Sequence, residues 1–231
     1  MALIRPPEPM LFDLRGRGRR RTVQAIYLFL AVLIGGGLIL VGVGTGSGNG
    51  GLLNALTGGG STAGQTAAIS QQQKDALKAT QTNPNSAAAW AALIQARWST
   101  ARSSNAYVDP NTGQFTAAGK QQLTALGENY QRYKSLVTQP DPNIAILAAR
   151  AYQYLGNFAA STDAWNDIAM ADPTQASAFE CLAANAYAAG QSRKGDLASD
   201  KAVSLVPAAQ RTLLKSRLSQ AKTNSQVAQS C

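Results

Sequence analysis

The stretch NIAILAARAYQYLGNFAASTDAWNDIAMADPTQASAFECLAANAYAAGQSRKGDLASDKAVSLVP, residues 143–207, decides the fold because it repeats itself. Gly156 returns as Gly190, Ala148 as Leu182, Ala164 as Ala198 and Pro173 as Pro207, each 34 positions on (207 minus 173). Ala145 returns as Phe179, a small apolar residue exchanged for a large one at the same packing position. A period of this length, with apolar positions, a glycine and a closing proline in register, marks a solenoid of helix–turn–helix units. The mechanics sit at fixed places. Leu155-Gly156-Asn157-Phe158 and Ala189-Gly190-Gln191-Ser192 lie mid-unit, where glycine lets one helix stop and its partner turn back. Asp172-Pro173 and Val206-Pro207 lie at the unit ends, where proline closes the second helix.

These residues resemble the tetratricopeptide repeat (TPR) family, whose units carry an aromatic near the start, a Leu-Gly pair, a tyrosine, a mid-unit glycine, a second-helix aromatic and a terminal proline. The second unit supplies Tyr152, Gly156, Trp165 and Pro173, with Ala145, Ala148 and Ala149 where Trp, Leu and Gly are usual. The third supplies Phe179, Leu182, Gly190, Ala202 and Pro207, with Ser199 in place of the second-helix aromatic. A broken first unit starts at Pro84, followed by Trp90 and Leu93. The resemblance covers roughly residues 83–220 and implies an all-α solenoid that serves as a scaffold for binding. It further implies that a bound peptide lies on the inner face of the first helix of each unit. By register that face holds Asn143, Ile146, Arg150 and Gln153 in the second unit. In the third it holds Ser177, Glu180, Ala184 and Tyr187, and in the first Gln95 and Trp98. The surface is mixed and nearly neutral, with Arg150 expected opposite Glu180. It lacks the Lys/Arg cluster of a clamp for a C-terminal carboxylate.

The formal net charge of +9 is unevenly placed. Six arginines face only Glu8 and Asp13 in residues 1–21, residues 22–60 carry no charge, and the remainder of the surplus is spread thinly over 61–231. Val23 to Val43 is a run without charge, long enough at about 1.5 Å per residue to cross a hydrocarbon core of roughly 30 Å. A signal peptide would have a shorter apolar region and a small-x-small cleavage site. The run therefore reads as a retained anchor, and Arg15 to Arg21 before it as a positive-inside signal rather than a nucleic-acid contact. Five segments follow: a basic cytoplasmic leader at 1–21, a single transmembrane helix at 22–43, a glycine-rich linker at 44–66, a TPR-like helical domain at 67–220 and a disordered tail at 221–231. Gly46-x-Gly48-x-x-Gly51 matches a dinucleotide fingerprint in letters only, since a membrane span precedes it, no helix clearly opens on it and no acidic ribose partner follows at the usual distance.

Within the helical domain, Trp90, Leu93, Ile94 and Arg97 predict a helix from Ala87 to about Arg102. Leu123, Leu126, Tyr130, Tyr133 and Val137 predict another from Thr116 to Thr138. Between them, residues 103–115 interrupt the repeat with turn chemistry, Tyr107 and Phe115 flanking Asp109-Pro110-Asn111-Thr112-Gly113 like the arms of a hairpin. The Asp-x-Asn-x-Gly spacing hints at a calcium loop but lacks the further carboxylates, so a plain turn is expected. A closing helix runs from Ala208 to Leu218, with Leu213, Leu214 and Leu218 inward.

No catalytic set is visible. Histidine is absent, which removes the commonest general base and metal ligand. Asp163 with Asp167, and Asp196 with Asp200, are four apart on second helices and read as solvated outer faces. Cys181 and Cys231 either pair in an oxidising compartment or stay apart, Cys181 as a small buried residue and Cys231 in a frayed end. The burial tendency of free cysteine favours the second. The expected protein is thus a non-enzymatic scaffold without cofactor or metal, single-pass in the plasma membrane. Its N-terminus is cytoplasmic and its repeats are extracytoplasmic. Its expected partners are the lipid bilayer and a protein or peptide, with no nucleic acid and no small-molecule substrate. A structural subunit of a larger membrane complex is the alternative, and an enzyme of the cell envelope the remote one.

Overall fold

A computed structural model describes residues 62–231, and within them every regular element is helical. The leader, the apolar run at 22–43 and the linker up to residue 61 lie outside the described residues. No helix among the described residues is long and apolar enough to cross a membrane. The chain runs through α1 (Thr62–Thr82), α2 (Ala87–Ala101), α3 (Ala117–Lys134), α4 (Pro142–Tyr154), α5 (Phe158–Ala171), α6 (Ala176–Ala188), α7 (Ser192–Leu205), α8 (Ala208–Ala221) and the short α9 (Gln226–Gln229). Three helical hairpins succeed one another, α2 on α3, α4 on α5 and α6 on α7, with neighbouring hairpins also in contact. This is a helical-repeat packing.

Local chemistry places the boundaries. The side chains of Ser86, Thr116, Asp141 and Asn157 each accept a bond from a free amide at the start of α2, α3, α4 and α5. At the two mid-unit glycines the same closure occurs twice. Gly156 and Gly190 both have φ +73°, with Asn157 N donating to Tyr152 O at 2.8 Å and Gln191 N to Ala186 O at 2.8 Å. The carbonyls left free at the end of the first helix are thereby satisfied, and the left-handed conformation required is one that glycine adopts without strain.

The core is built from small residues. Ala145, Ala148, Ala149, Ala151, Ala164, Ala183 and Ala202 are all essentially inaccessible, so paired helices approach closely. Aromatics fill the remaining space. Tyr152 lies over Gly127 of α3, donating to its carbonyl at 2.8 Å, and Tyr187 lies over Gly195 of α7. Tyr130 is buried on α3 and donates to Asp167 on α5 at 2.9 Å, and Asp167 also pairs with Lys134 at 2.6 Å. Three of the four aspartates read as solvated outer faces are thus ion-paired: Asp167 to Lys134, Asp163 to Lys194, and Asp196 to Lys222, with Asp196 also accepting from Tyr187.

Four expectations need correction. The helix α3 ends at Lys134, not Thr138, because the chain turns there to bury Pro140, and Tyr133 accepts a bond from Asp141 N at 3.0 Å. Helix α1 starts at Thr62, inside the segment read as linker, and buries Ala76 against Leu93 and Ala96. Leu213 points outward at 75% exposure, since α8 lies against the rest of the domain along one side only, the side of Leu214, Leu218 and Ala221. Finally, the segment after residue 221 is structured. It carries α9, whose Ala228 is fully buried against α4, α6 and α8, and ends in a disulfide between Cys181 and Cys231 with Cα atoms 5.6 Å apart. Cys181 is accordingly half-buried and bonded rather than a free core thiol.

A Cβ at Gly127 would stand 2.6 Å from the Tyr152 ring, against a bulky group fixed by its own hydrogen bond. Gly127→Ala is expected to cost about 1–3 kcal/mol in urea denaturation; an unchanged midpoint would show that α3 and α4 are not locked there. Burial, and then the Asp167 carboxylate, hold the Tyr130 hydroxyl far above the ordinary phenol range, and burial raises Tyr152 as well. Unfolded tyrosine ionises near pH 10. Above about that pH the unfolded chain loses protons that the folded one keeps, so stability present at neutral pH falls as pH rises. Tyr130→Phe is expected to make that alkaline decline shallower, as measured by denaturation at pH 9 to 11.

Candidate functional site

The first helices of the hairpins, α2, α4 and α6, carry the residues expected to line a groove, and the structure sorts them. Trp98 of α2 and Arg150 and Gln153 of α4 come together in one cleft of about 280 Å3. They are joined there by Arg102, Tyr154, Gln229, Ser230 and Cys231. Gln95, Asn143 and Ser177 are exposed and stand outside it, Asn143 being drawn into the α4 cap by a 3.0 Å bond to Asp141. Ile146 packs against the core.

Two expected groove residues are engaged elsewhere. Tyr187 is buried, donates to Asp196 at 2.8 Å, and lies under the Lys222 ammonium, which sits 5.1 Å from its ring centroid. Burial, followed by the bond to Asp196, raises its hydroxyl above the ordinary phenol range, while Lys222 and then Tyr187 hold Asp196 below the ordinary carboxylate range. Tyr187 is a packing residue. Glu180 pairs with Arg217 of α8 at 2.9 Å, not with Arg150. Arg150 is left without an ion pair or hydrogen bond among the described residues.

Much of this face is already covered by the chain itself. Gln153, 3% exposed, donates through Nε2 to Ala228 O at 2.8 Å and to Asn185 Oδ1 at 3.3 Å. Asn185 in turn donates to Cys181 O at 2.8 Å, the residue that carries the disulfide. Arg217 reaches Ser230 at 3.3 Å. The C-terminal segment thus closes the α4–α6 half of the face and forms one wall of the cleft that remains on the α2–α4 half.

The opposite wall is aromatic. Arg102 stacks over Trp98 at 5.4 Å, Trp98 lies 6.3 Å from Tyr154, and Phe115 meets Tyr154 edge-on at 4.8 Å between centroids. Phe115 is bridged to Val108, so the insertion at 103–115 buttresses this wall. Its Asp109 is a turn residue. Asn111 N donates to Asp109 Oδ1 at 2.8 Å, and backbone bonds of this kind hold the carboxyl below its ordinary range. Among the described residues no three His, Cys, Asp or Glu side chains converge on a metal position.

Arg102, Tyr154 and the tail were missed by the repeat register. The first two had a signal: Arg102 follows Trp98 by four, and Tyr154 follows Arg150 by four, so each extends its partner's helix face by one turn. Nothing local marked the tail. Compared with known proteins, the chain matches no family model and no curated protein.

The disulfide closes a loop with a sequence separation of 50, and such a closure stabilises by about 2–4 kcal/mol. Reduction is expected to lower the unfolding free energy by that amount, with hydrogen exchange rising most in residues 222–231. An unchanged denaturation midpoint would mean that the tail contributes nothing to the fold.

Proposed function

We propose that this chain is a membrane-anchored, TPR-like scaffold that binds a segment of a protein partner at the extracytoplasmic face of the plasma membrane, without chemistry of its own. The observation that carries the proposal is the cleft between α2 and α4. There an aromatic wall, two arginines and a fixed glutamine converge on the face that repeat scaffolds use for binding. Aromatic and arginine side chains are the residue types that anchor protein partners most strongly. The disulfide supports the extracytoplasmic side, because such bonds persist in oxidising compartments and are rare in the cytosol. The apolar run at 22–43 behind a cluster of arginines supports the anchor and its orientation.

Two measurements on intact cells check this. A reporter fused after Cys231 is expected outside, and one after Arg21 inside. A photo-crosslinking residue at Tyr154 is expected to trap a discrete partner band that is absent when the same residue replaces Leu197, which is exposed away from the cleft. A cytoplasmic C-terminal reporter, or identical bands from both positions, would refute the proposal.

A further inference from the structure

Two arginines without an ion pair line the cleft. Arg102 and Arg150 both line it, and neither has a carboxylate partner among the described residues, whose ion pairs are made by Lys134, Lys194, Arg217 and Lys222. No acidic side chain lines the cleft, and Glu180 is held by Arg217. Arg102, over the Trp98 ring, and Arg150 both line the cleft and together give it a positive local potential, which solvent screens because Arg102 and Tyr154 are exposed. The planar fork of arginine matches the two oxygens of a carboxylate, and the stacking of Arg102 on Trp98 limits its rotamers and orients it in advance.

The remaining wall is Gln229, Ser230 and Cys231. Its position depends on three ties: the Cys181–Cys231 bond, Gln153 to Ala228 O at 2.8 Å, and Arg217 to Ser230 at 3.3 Å. Only the first is covalent, and the third is exposed. Without the disulfide a four-residue helix has too few internal bonds to hold itself on the face.

We propose that Arg102 and Arg150 form a subsite for an acidic side chain, aspartate or glutamate, of the bound segment, and that the Cys181–Cys231 disulfide assembles the subsite by holding residues 229–231 as its wall. This rests on the proposed function, since the subsite lies on the same face. It adds the chemistry of the ligand and a redox condition for binding. The aromatic wall takes the apolar neighbour of the acid, so an acidic residue next to a leucine or an aromatic fits both halves of the cleft.

The test uses the purified full chain and three peptides: acetylated and amidated (Glu-Leu)3, its glutamine counterpart, and the glutamine peptide with a free C-terminal carboxylate. Side-chain NMR signals of Arg102, Arg150 and the Trp98 indole report occupancy of the cleft, and titration gives the affinity. The glutamate peptide is expected to shift all three and to bind roughly 3- to 10-fold more tightly than the glutamine peptide at low salt, as exposed arginine–carboxylate pairs imply. Arg102→Gln and Arg150→Gln are each expected to remove most of that preference. Cys231→Ser is expected to weaken glutamate binding, with circular dichroism confirming that α2–α7 remain folded.

Equal shifts from glutamate and glutamine peptides would overturn the acidic subsite while leaving a peptide groove intact. No shift of the cleft signals by any peptide would overturn the subsite, and the crosslinks from Tyr154 separately decide the groove. Binding by the free-carboxylate peptide alone would transfer the site to chain ends and overturn the side-chain assignment. Tighter binding by Cys231→Ser would show the tail to be a competitor rather than a wall, and would overturn the redox condition.

Discussion

Close approach of helix to helix is the constraint on which the rest of this structure depends. Alanines at zero or near-zero exposure run along the contacts of α4, α5, α6 and α7, and they set interhelical distances that larger side chains would forbid. At two of the contacts a glycine stands in place of alanine and a tyrosine closes over it, Tyr152 on Gly127 and Tyr187 on Gly195. The tyrosines restore the buried apolar area that small residues lack, and each satisfies its hydroxyl, one on a backbone carbonyl and one on Asp196. A core of this type is specified by shape more than by hydrophobic mass, because a single added carbon has nowhere to go.

That economy has consequences for the surface. Tyr152 of α4 and Tyr187 of α6 are drawn into the contacts between helices, and the face of these first helices keeps the polar residues Arg150, Gln153, Glu180 and Asn185. Buried polar groups need partners, and here the chain's own C-terminal segment supplies them. Gln153 and Asn185 are satisfied by each other, by Ala228 and by Cys181, and Glu180 by Arg217. The half of the face next to α2 has no such cover. Its arginines remain unpaired, its wall is aromatic, and the insertion at 103–115 supports it through Phe115.

Legibility followed the range of the interactions. The mid-unit glycines and the apolar stripe of Leu123, Leu126 and Tyr130 are recognisable within a few residues, and they stand where the sequence pattern placed them. Register alone put Trp98, Arg150 and Gln153 on one face, and the three line one cleft, because one helical period fixes which side of a helix a residue occupies. It misplaced Tyr187, since a register position says which side of the helix a side chain leaves from but not which neighbour it turns toward. It also counted Glu180 as offsetting Arg150 on that face, for want of any sign that α8 would bring Arg217 to the same carboxylate.

The sequence by itself determined that this region is helical, where most of its helices begin and end, and the 34-residue beat at which they recur, because those depend on backbone hydrogen bonding and on periodic burial within each unit. Tertiary structure alone decided the rest. The bond from Gln153 to Ala228 spans 75 residues and the one from Cys181 to Cys231 spans 50, and no local preference encodes either. The tail is ordered because the stacked helices present a covered surface for Ala228 and a thiol within reach of Cys231, and neither exists until the units have assembled.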